Sequence, residues 1–253
     1  MEYMESGDIS AHLEVSGRFP ESLVRNILVR VLLGLRELES KQIVHGDIKL
    51  ENILYSKEKE ALKLADFGLA FEALDSAATS SSLGTPEYMA PEQILHGRKG
   101  YESDMWAVGI CAYEMLFGIP PYYDETPEKI FQKITGSFEI DWMGEPVSDI
   151  VKDLIMKLLD RNFQSRLSLK EAMHHPFFAE IDWSSPPKVN LPERVGIFDE
   201  RNKRYNSFQY YNKATLSSEV VAFGDGVYNQ NTSVDNQMEL LKLFPIKNLN
   251  KLK

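Results

Sequence analysis

The run His45-Gly46-Asp47-Ile48-Lys49-Leu50-Glu51-Asn52, followed thirteen positions after Asn52 by Ala65-Asp66-Phe67-Gly68, sets out two carboxylates, an ammonium and an amide in a fixed order. Transfer of a phosphoryl group asks for little covalent help from a protein. It asks for groups that orient the attacking hydroxyl, hold Mg²⁺ and spread charge over the migrating group. Each of those types is present here, in order. Downstream come Gly84-Thr85-Pro86-Glu87-Tyr88 and Met89-Ala90-Pro91-Glu92. A lone Asp-Phe-Gly would be a weak signal, whereas three ordered strings form a specific one.

These residues must be positioned by the elements around them. Pro20-Glu21-Ser22 opens a run in which Leu23, Ile27, Val31, Leu35 and Leu38 recur at intervals of three and four, with Arg25, Arg36 and Glu39 off the stripe. The spacing predicts an amphipathic helix that delivers the chain to His45. Ile53-Leu54-Tyr55 and Leu62-Lys63-Leu64 read as a strand pair about the polar turn from Ser56 to Glu60, which puts both chemical motifs at strand edges. Asp75 to Ser82 is small, polar and rich in hydroxyls, so a loop is expected. Helices are expected over Asp104 to Phe117, Pro127 to Thr135 and Asp149 to Leu159, with Ser168 and Glu171 as a capping box for a last helix that Pro176 ends. After Trp183, Ser-Ser-Pro-Pro gives way to scattered Asn, Ser and Lys without periodicity. Residues 184 to 253 therefore read as a tail with little structure of its own, in which Leu240-Leu241-Lys242-Leu243-Phe244 reads as a frayed end, with a short docking helix as the alternative.

The chain has 253 residues, 43% of them hydrophobic, which suits one large domain or two small ones with a packed core. Its one cysteine, Cys111, excludes an internal disulfide framework and suits a reducing compartment, cytoplasmic or nuclear. The acidic start lacks the basic and apolar regions of a secretory signal. Met105 to Tyr123 is apolar, yet Glu114 interrupts it and Gly118 with Pro120-Pro121 closes it. A helix buried on all sides is the expected reading, and no membrane partner follows. The formal charge of −10 disfavours nucleic acid as a partner and leaves room for a basic peptide. His174-His175 does not suggest a metal, because adjacent imidazoles on a helix point apart.

From Met1 to about Trp183 the sequence resembles the large, helical lobe of a eukaryotic protein kinase, beginning in the hinge, with the small lobe absent. Gly84-Thr85-Pro86-Glu87-Tyr88, Pro120-Pro121-Tyr122, and His175-Pro176-Phe177-Phe178 before Ile181-Asp182-Trp183 are similar to the AGC group. Asp124-Glu125-Thr126-Pro127 with Phe131-Gln132-Lys133-Ile134 is most similar to its microtubule-associated Ser/Thr kinase and Greatwall branch. The resemblance implies a mainly α fold, with a small β ribbon at the catalytic cleft over residues 1–183 and a tail over 184–253. It implies ATP and Mg²⁺ as cofactors and Ser/Thr hydroxyls of proteins or peptides as substrates. By the same resemblance Asp47 takes or orients the hydroxyl proton, Lys49 steadies the phosphoryl, and Asn52 and Asp66 hold Mg²⁺. Glu2 and Met4 would bond adenine through their backbones, Asp8 the ribose, and Leu54 would floor the base. Glu51, Thr85 and Glu114 would face the substrate. Glu51 and Glu114 match an acidic pair that binds arginine, to be weighed against Glu114 merely filling a polar position inside the lobe. Ser81 matches the activation-loop phosphorylation site. Glu92 should pair with Arg166, Asp104 should bond the backbone near His45, and His45 should stack under Phe67.

Two departures from the family pattern shape the expectations. No glycine-rich phosphate-covering loop, strand lysine or partnering helix glutamate precedes Met1, so nucleotide would meet half a cleft and the chain by itself should be inactive. The exposed inter-lobe face would then call for a partner, and a catalytically inactive scaffold or binding module is the alternative function. At Gly46 the family usually carries an arginine that clamps a phosphorylated activation loop, so phosphorylation at Ser81 should not act strongly by that route. Leu50 in place of the usual proline should matter little.

Overall fold

The computed structural model describes residues 4–73 and 84–192. All of them fall in the first of two compact units, Met1–Tyr205, while the second, Asn206–Lys253, lies outside the described residues, as does Leu240 to Phe244. Seven helices and two short ladders make up the described part: α1 Ile9–Ser16, α2 Glu21–Ser40, β1 Ile43–Val44, β2 Ile53–Ser56, β3 Ala61–Leu64, β4 Phe71–Glu72, α3 Pro91–His96, α4 Tyr101–Phe117, α5 Pro127–Thr135, α6 Asp149–Leu158 and α7 Leu169–Met173.

The expected long helix is α2. Pro20 sits just before it, where its missing N–H costs nothing, and its carbonyl accepts from Val24 N at 3.1 Å. The buried face is wider than the sequence stripe, because Val24, Leu28 and Leu32 join Ile27, Val31 and Leu35 in the core, while Leu23 and Leu38 pack at its border. The reason is α4, against which α2 lies. Every residue of α4 from Ser103 to Phe117 is buried, so it offers apolar surface all round. It begins at Tyr101, earlier than Asp104, because the Gly100 carbonyl accepts from Ser103 N and Asp104 N and starts the first turn there. On its other side α6 comes so close that a Cβ on Gly109 would lie 2.8 Å from Leu159 Cδ2 and 2.9 Å from Leu158 Cβ; glycine permits this approach. Among the described residues no helix is long and apolar enough to cross a membrane.

Side-chain caps start α1, α5, α6 and α7. Asp8 accepts from Ala11 N at 2.8 Å, Thr126 from Lys129 N, Ser148 from Val151 N, and Ser168 exchanges bonds with Glu171 in the expected capping box. The expected ribbon is β2 with β3, antiparallel, with Ile53 opposite Leu64 and Ser56 opposite Ala61. A second ladder pairs β1 with β4, Ile43 opposite Glu72 and Val44 opposite Phe71. Two residues per strand leave no period to read in a sequence, yet this ladder brackets both chemical strings. Residues 184–192, the described part of the expected tail, form no helix or strand. They nevertheless pack, with Val189 and Leu191 entering the core.

Candidate active site

The loop from His45 to Asn52 leaves β1 and closes in a single 3₁₀ turn, Leu50–Asn52, before β2. Its floor is Asp104, buried in the first turn of α4, whose two carboxylate oxygens accept from His45 N at 2.8 Å and Gly46 N at 2.9 Å. Burial pushes the Asp104 carboxyl up to about 6 against the pull of those two amides. Gly46 has φ +78°, and a Cβ there would lie 2.7 Å from the Leu69 carbonyl oxygen; the loop and the Asp-Phe-Gly segment touch backbone to backbone at this point. His45 is fully buried. Its Nε2–H donates to the Ala65 carbonyl at 3.1 Å, Nδ1 accepts from Asp47 N at 3.3 Å, and its ring lies 5.0 Å from that of Phe67, tilted by 51°. Burial lowers its pKa, and one N–H donor with one acceptor is the neutral tautomer's pattern.

Asp47 projects from this floor. Its Oδ2 accepts from Asn52 Nδ2 at 2.9 Å and pairs with Lys49 Nζ at 3.1 Å, while its Oδ1 is turned toward Gly84, 3.9 Å from where a Cβ on Gly84 would be. Lys49 Nζ also donates to Thr85 Oγ1 at 3.1 Å, joining the loop to the Gly84–Tyr88 string. Asn52 spends its amide N–H₂ on Asp47, on the carbonyl at 2.8 Å and on Oδ2, which leaves Asn52 Oδ1 as the free acceptor. Asp66 has φ +60°, a left-handed conformation that Asp tolerates better than most residues, and its Oδ1 accepts from Gly68 N at 3.2 Å. An amide oxygen and a carboxylate suit Mg²⁺, which binds through one or two protein oxygens with substrate phosphates and water completing the shell. His174 and His175 turn to different partners, the Lys170 carbonyl and the Asp153 carboxylate.

The carboxylates on the substrate side behave unequally. Glu51 is exposed, whereas Glu114 is 7% exposed and accepts a very short hydrogen bond from the Tyr88 hydroxyl. Burial pushes Glu114 up to about 8, and the charges of Glu51 and Glu87 add to the push while the Tyr88 bond opposes it. This bond satisfies the buried Glu114 carboxyl. Glu87 is the third carboxylate of the cluster. Sequence reasoning left it and Tyr88 without roles, although both stand in the Gly84–Tyr88 string. On the nucleotide side Met4 is buried, Asp8 pairs with Leu54 across an isolated bridge, and one oxygen of Asp8 caps α1. Glu2 and Ser81 lie outside the described residues. Away from the cleft, Arg166 grips Glu92 with two bonds, 2.7 and 2.8 Å, and donates to the Glu102 and Asp160 carbonyls at 2.6 and 2.9 Å.

The sequence model of the protein kinase domain matches residues 1–178. Among curated relatives, the probable cAMP-dependent protein kinase catalytic subunit of Encephalitozoon cuniculi is 39% identical over 205 residues, 77% of this chain and 62% of that protein. The cAMP-dependent protein kinase catalytic subunit PRKX of Homo sapiens is 37% identical over 212 residues, 80% and 58% of the two chains. The mouse protein kinase C eta type is 33% identical over 218 residues, 79% and 31%. The match thus spans 62% of the length of the first of these relatives and less of the others.

Proposed function

The chain belongs to the protein kinase family, in its AGC group, and from that premise we propose that it supplies the large-lobe half of a Ser/Thr kinase site that moves the γ-phosphoryl of ATP to a protein hydroxyl. One observation carries the reading: Lys49 and Asn52 hold the same oxygen of Asp47, leaving Oδ1, on the Gly84 side, without a side-chain donor among the described residues. In the proposed step Asp47 Oδ1 receives the proton of the Ser or Thr hydroxyl as its oxygen bonds to the γ-phosphorus and the bond to the β-phosphate oxygen breaks. Lys49, between Asp47 and Thr85, stays beside the phosphoryl and offsets its charge. Asn52 Oδ1 and Asp66 would hold Mg²⁺, which when bound neutralises charge on the phosphates.

Met4, Asp8 and Leu54 form the nucleotide edge in this reading, and Asp8 Oδ2, the oxygen that does not cap α1, is the one for a ribose. Glu51, Thr85 and Glu114 face the peptide. A basic substrate is favoured by Glu51 and, where an arginine fork displaces the Tyr88 bond and the proton that burial holds on it, by Glu114. The finer parts of the reading are the large lobe over residues 1–183, the microtubule-associated and Greatwall branch, and a cytoplasmic or nuclear setting. They rest on the motifs quoted above and on the buried free Cys111.

The test is transfer of labelled phosphate from ATP to a Ser-containing basic peptide, by the chain alone and by the chain fused behind the small lobe of a related kinase. Slow or absent transfer is expected from the chain alone, with a gain of orders of magnitude on fusion, all of it lost in Asp47→Asn. No transfer from the fusion, or transfer indifferent to Asp47→Asn, overturns the reading.

A further inference from the structure

Residues 186–192 run across α1, α2 and β2 as an extended strap held mainly by its backbone carbonyls. Arg30 donates to the Pro186 and Pro187 carbonyls at 3.2 and 3.1 Å, Asn26 to Lys188 at 3.1 Å, and the Tyr55 hydroxyl to Val189 at 2.9 Å, while Leu191 is buried. The last of these holds is His12, on α1. Its Nδ1 lies 3.3 Å from the Pro192 carbonyl oxygen and its Nε2 lies 2.9 Å from the Ser6 carbonyl oxygen. Carbonyl oxygens only accept. A neutral imidazole has one N–H to give, so both bonds form at once only when both ring nitrogens carry protons.

We propose that His12 is a proton-operated clip: as the imidazolium it ties the strap at Pro192 to the loop at Ser6, and as the neutral ring it keeps the shorter bond to Ser6 and releases Pro192. His12 is 6% exposed, so water does not readily replace the lost bond. Tyr55 faces it from β2, ring centroids 5.9 Å apart, and Glu5, Lys57 and Glu60 are the charges that act on Tyr55. The strap brings Lys188, which is paired with Glu60 at 2.6 Å. Among the described residues no carboxylate bonds to His12, so the two carbonyls are its proton-dependent partners. Ser6 lies between Met4 and Asp8, which puts the clip at the edge of the cleft. The proposal does not depend on phosphoryl transfer and stands or falls without nucleotide.

Amide hydrogen exchange on the full chain at about pH 5.5 and about pH 8.5 tests it. After correction for intrinsic rates, protection of the Leu191 amide should fall about tenfold at the higher pH, the effect of one charge-assisted bond. In His12→Gln it should be the same at both. Nitrogen-15 shifts of the wild-type His12 ring give a second reading that needs no variant: both nitrogens protonated at the lower pH, Nδ1 bare at the higher. Protection that ignores pH in the wild type, an unchanged pH response in a folded His12→Gln, or an Nδ1 bare at both pH values overturns the clip.

Discussion

Replacing Arg166 by Met should unfold this protein more readily than any surface change, and the contacts say by how much. Arg166 and Glu92 are both buried, at 4% and 3% exposure, and meet through two short parallel bonds. Methionine fills much of the arginine volume but leaves the Glu92 carboxylate in the interior with the Ser103 hydroxyl, at 3.0 Å, as its remaining side-chain donor. It also leaves the Glu102 and Asp160 carbonyls without the donor they share. Breaking a buried pair from one side costs about 3–5 kcal/mol, because the surviving charge keeps its desolvation penalty and loses its partner. For a domain of this size 1 kcal/mol moves the midpoint by about 2–4 °C, so Tm should fall by about 6–20 °C. Adding Glu92→Gln to Arg166→Met removes the stranded charge and should restore at least about 1 kcal/mol of the loss, a coupling typical of directly bonded residues. Thermal and urea melts of the wild type, both single variants and the double variant complete the cycle. An Arg166→Met midpoint within about 2 °C of wild type, or a double variant less stable than Arg166→Met alone, would refute the reasoning.

Three further outcomes follow. Glu114, pushed up to about 8, holds in the folded state a proton that the unfolded chain gives up near 4.5. Its contribution is therefore present in full below about 4.5 and is lost as pH rises to about 8, so melts of Glu114→Gln against wild type should favour the variant increasingly from pH 5 to pH 8, and a constant difference would count against the buried acid. Gly46→Ala must hold a left-handed φ and displace the Leu69 carbonyl, so it should cost at least about 1–2 kcal/mol by urea melt; a neutral substitution would mean the loop shifts freely. Glu51→Gln with Glu114→Gln, in an active form of the protein, should flatten a peptide-library preference for arginine, and an unaltered profile would remove these two from specificity.

What could be read from the sequence was local. The string from His45 to Asn52 and the 3.6-residue period of α2 are visible in runs of a few residues, and so were the turn between β2 and β3 and the Ser168–Glu171 box. What escaped was set by distant pairing. The β1–β4 ladder has two residues a side and joins segments almost thirty positions apart. The Tyr88–Glu114 bond decides whether Glu114 is free for a substrate, yet the two residues share no local pattern. Asp104 beneath the loop and Arg166 on Glu92 were anticipated through family resemblance, since nothing local links a loop to a helix start 58 residues on. The strap over 186–192 carries no period at all. It is held by carbonyls, which every residue has, and by donors on α1, α2 and β2.

The most direct measurement is anomalous scattering from Mn²⁺ in crystals grown with a non-hydrolysable ATP analogue. If Asn52 and Asp66 are the metal ligands, one or two peaks will be found with Asn52 Oδ1 and an Asp66 oxygen about 2.1 Å away, and with Asp47 and Lys49 facing the terminal phosphate. A metal–nucleotide complex bound elsewhere, with Asn52 and Asp66 taking no part, would contradict the account.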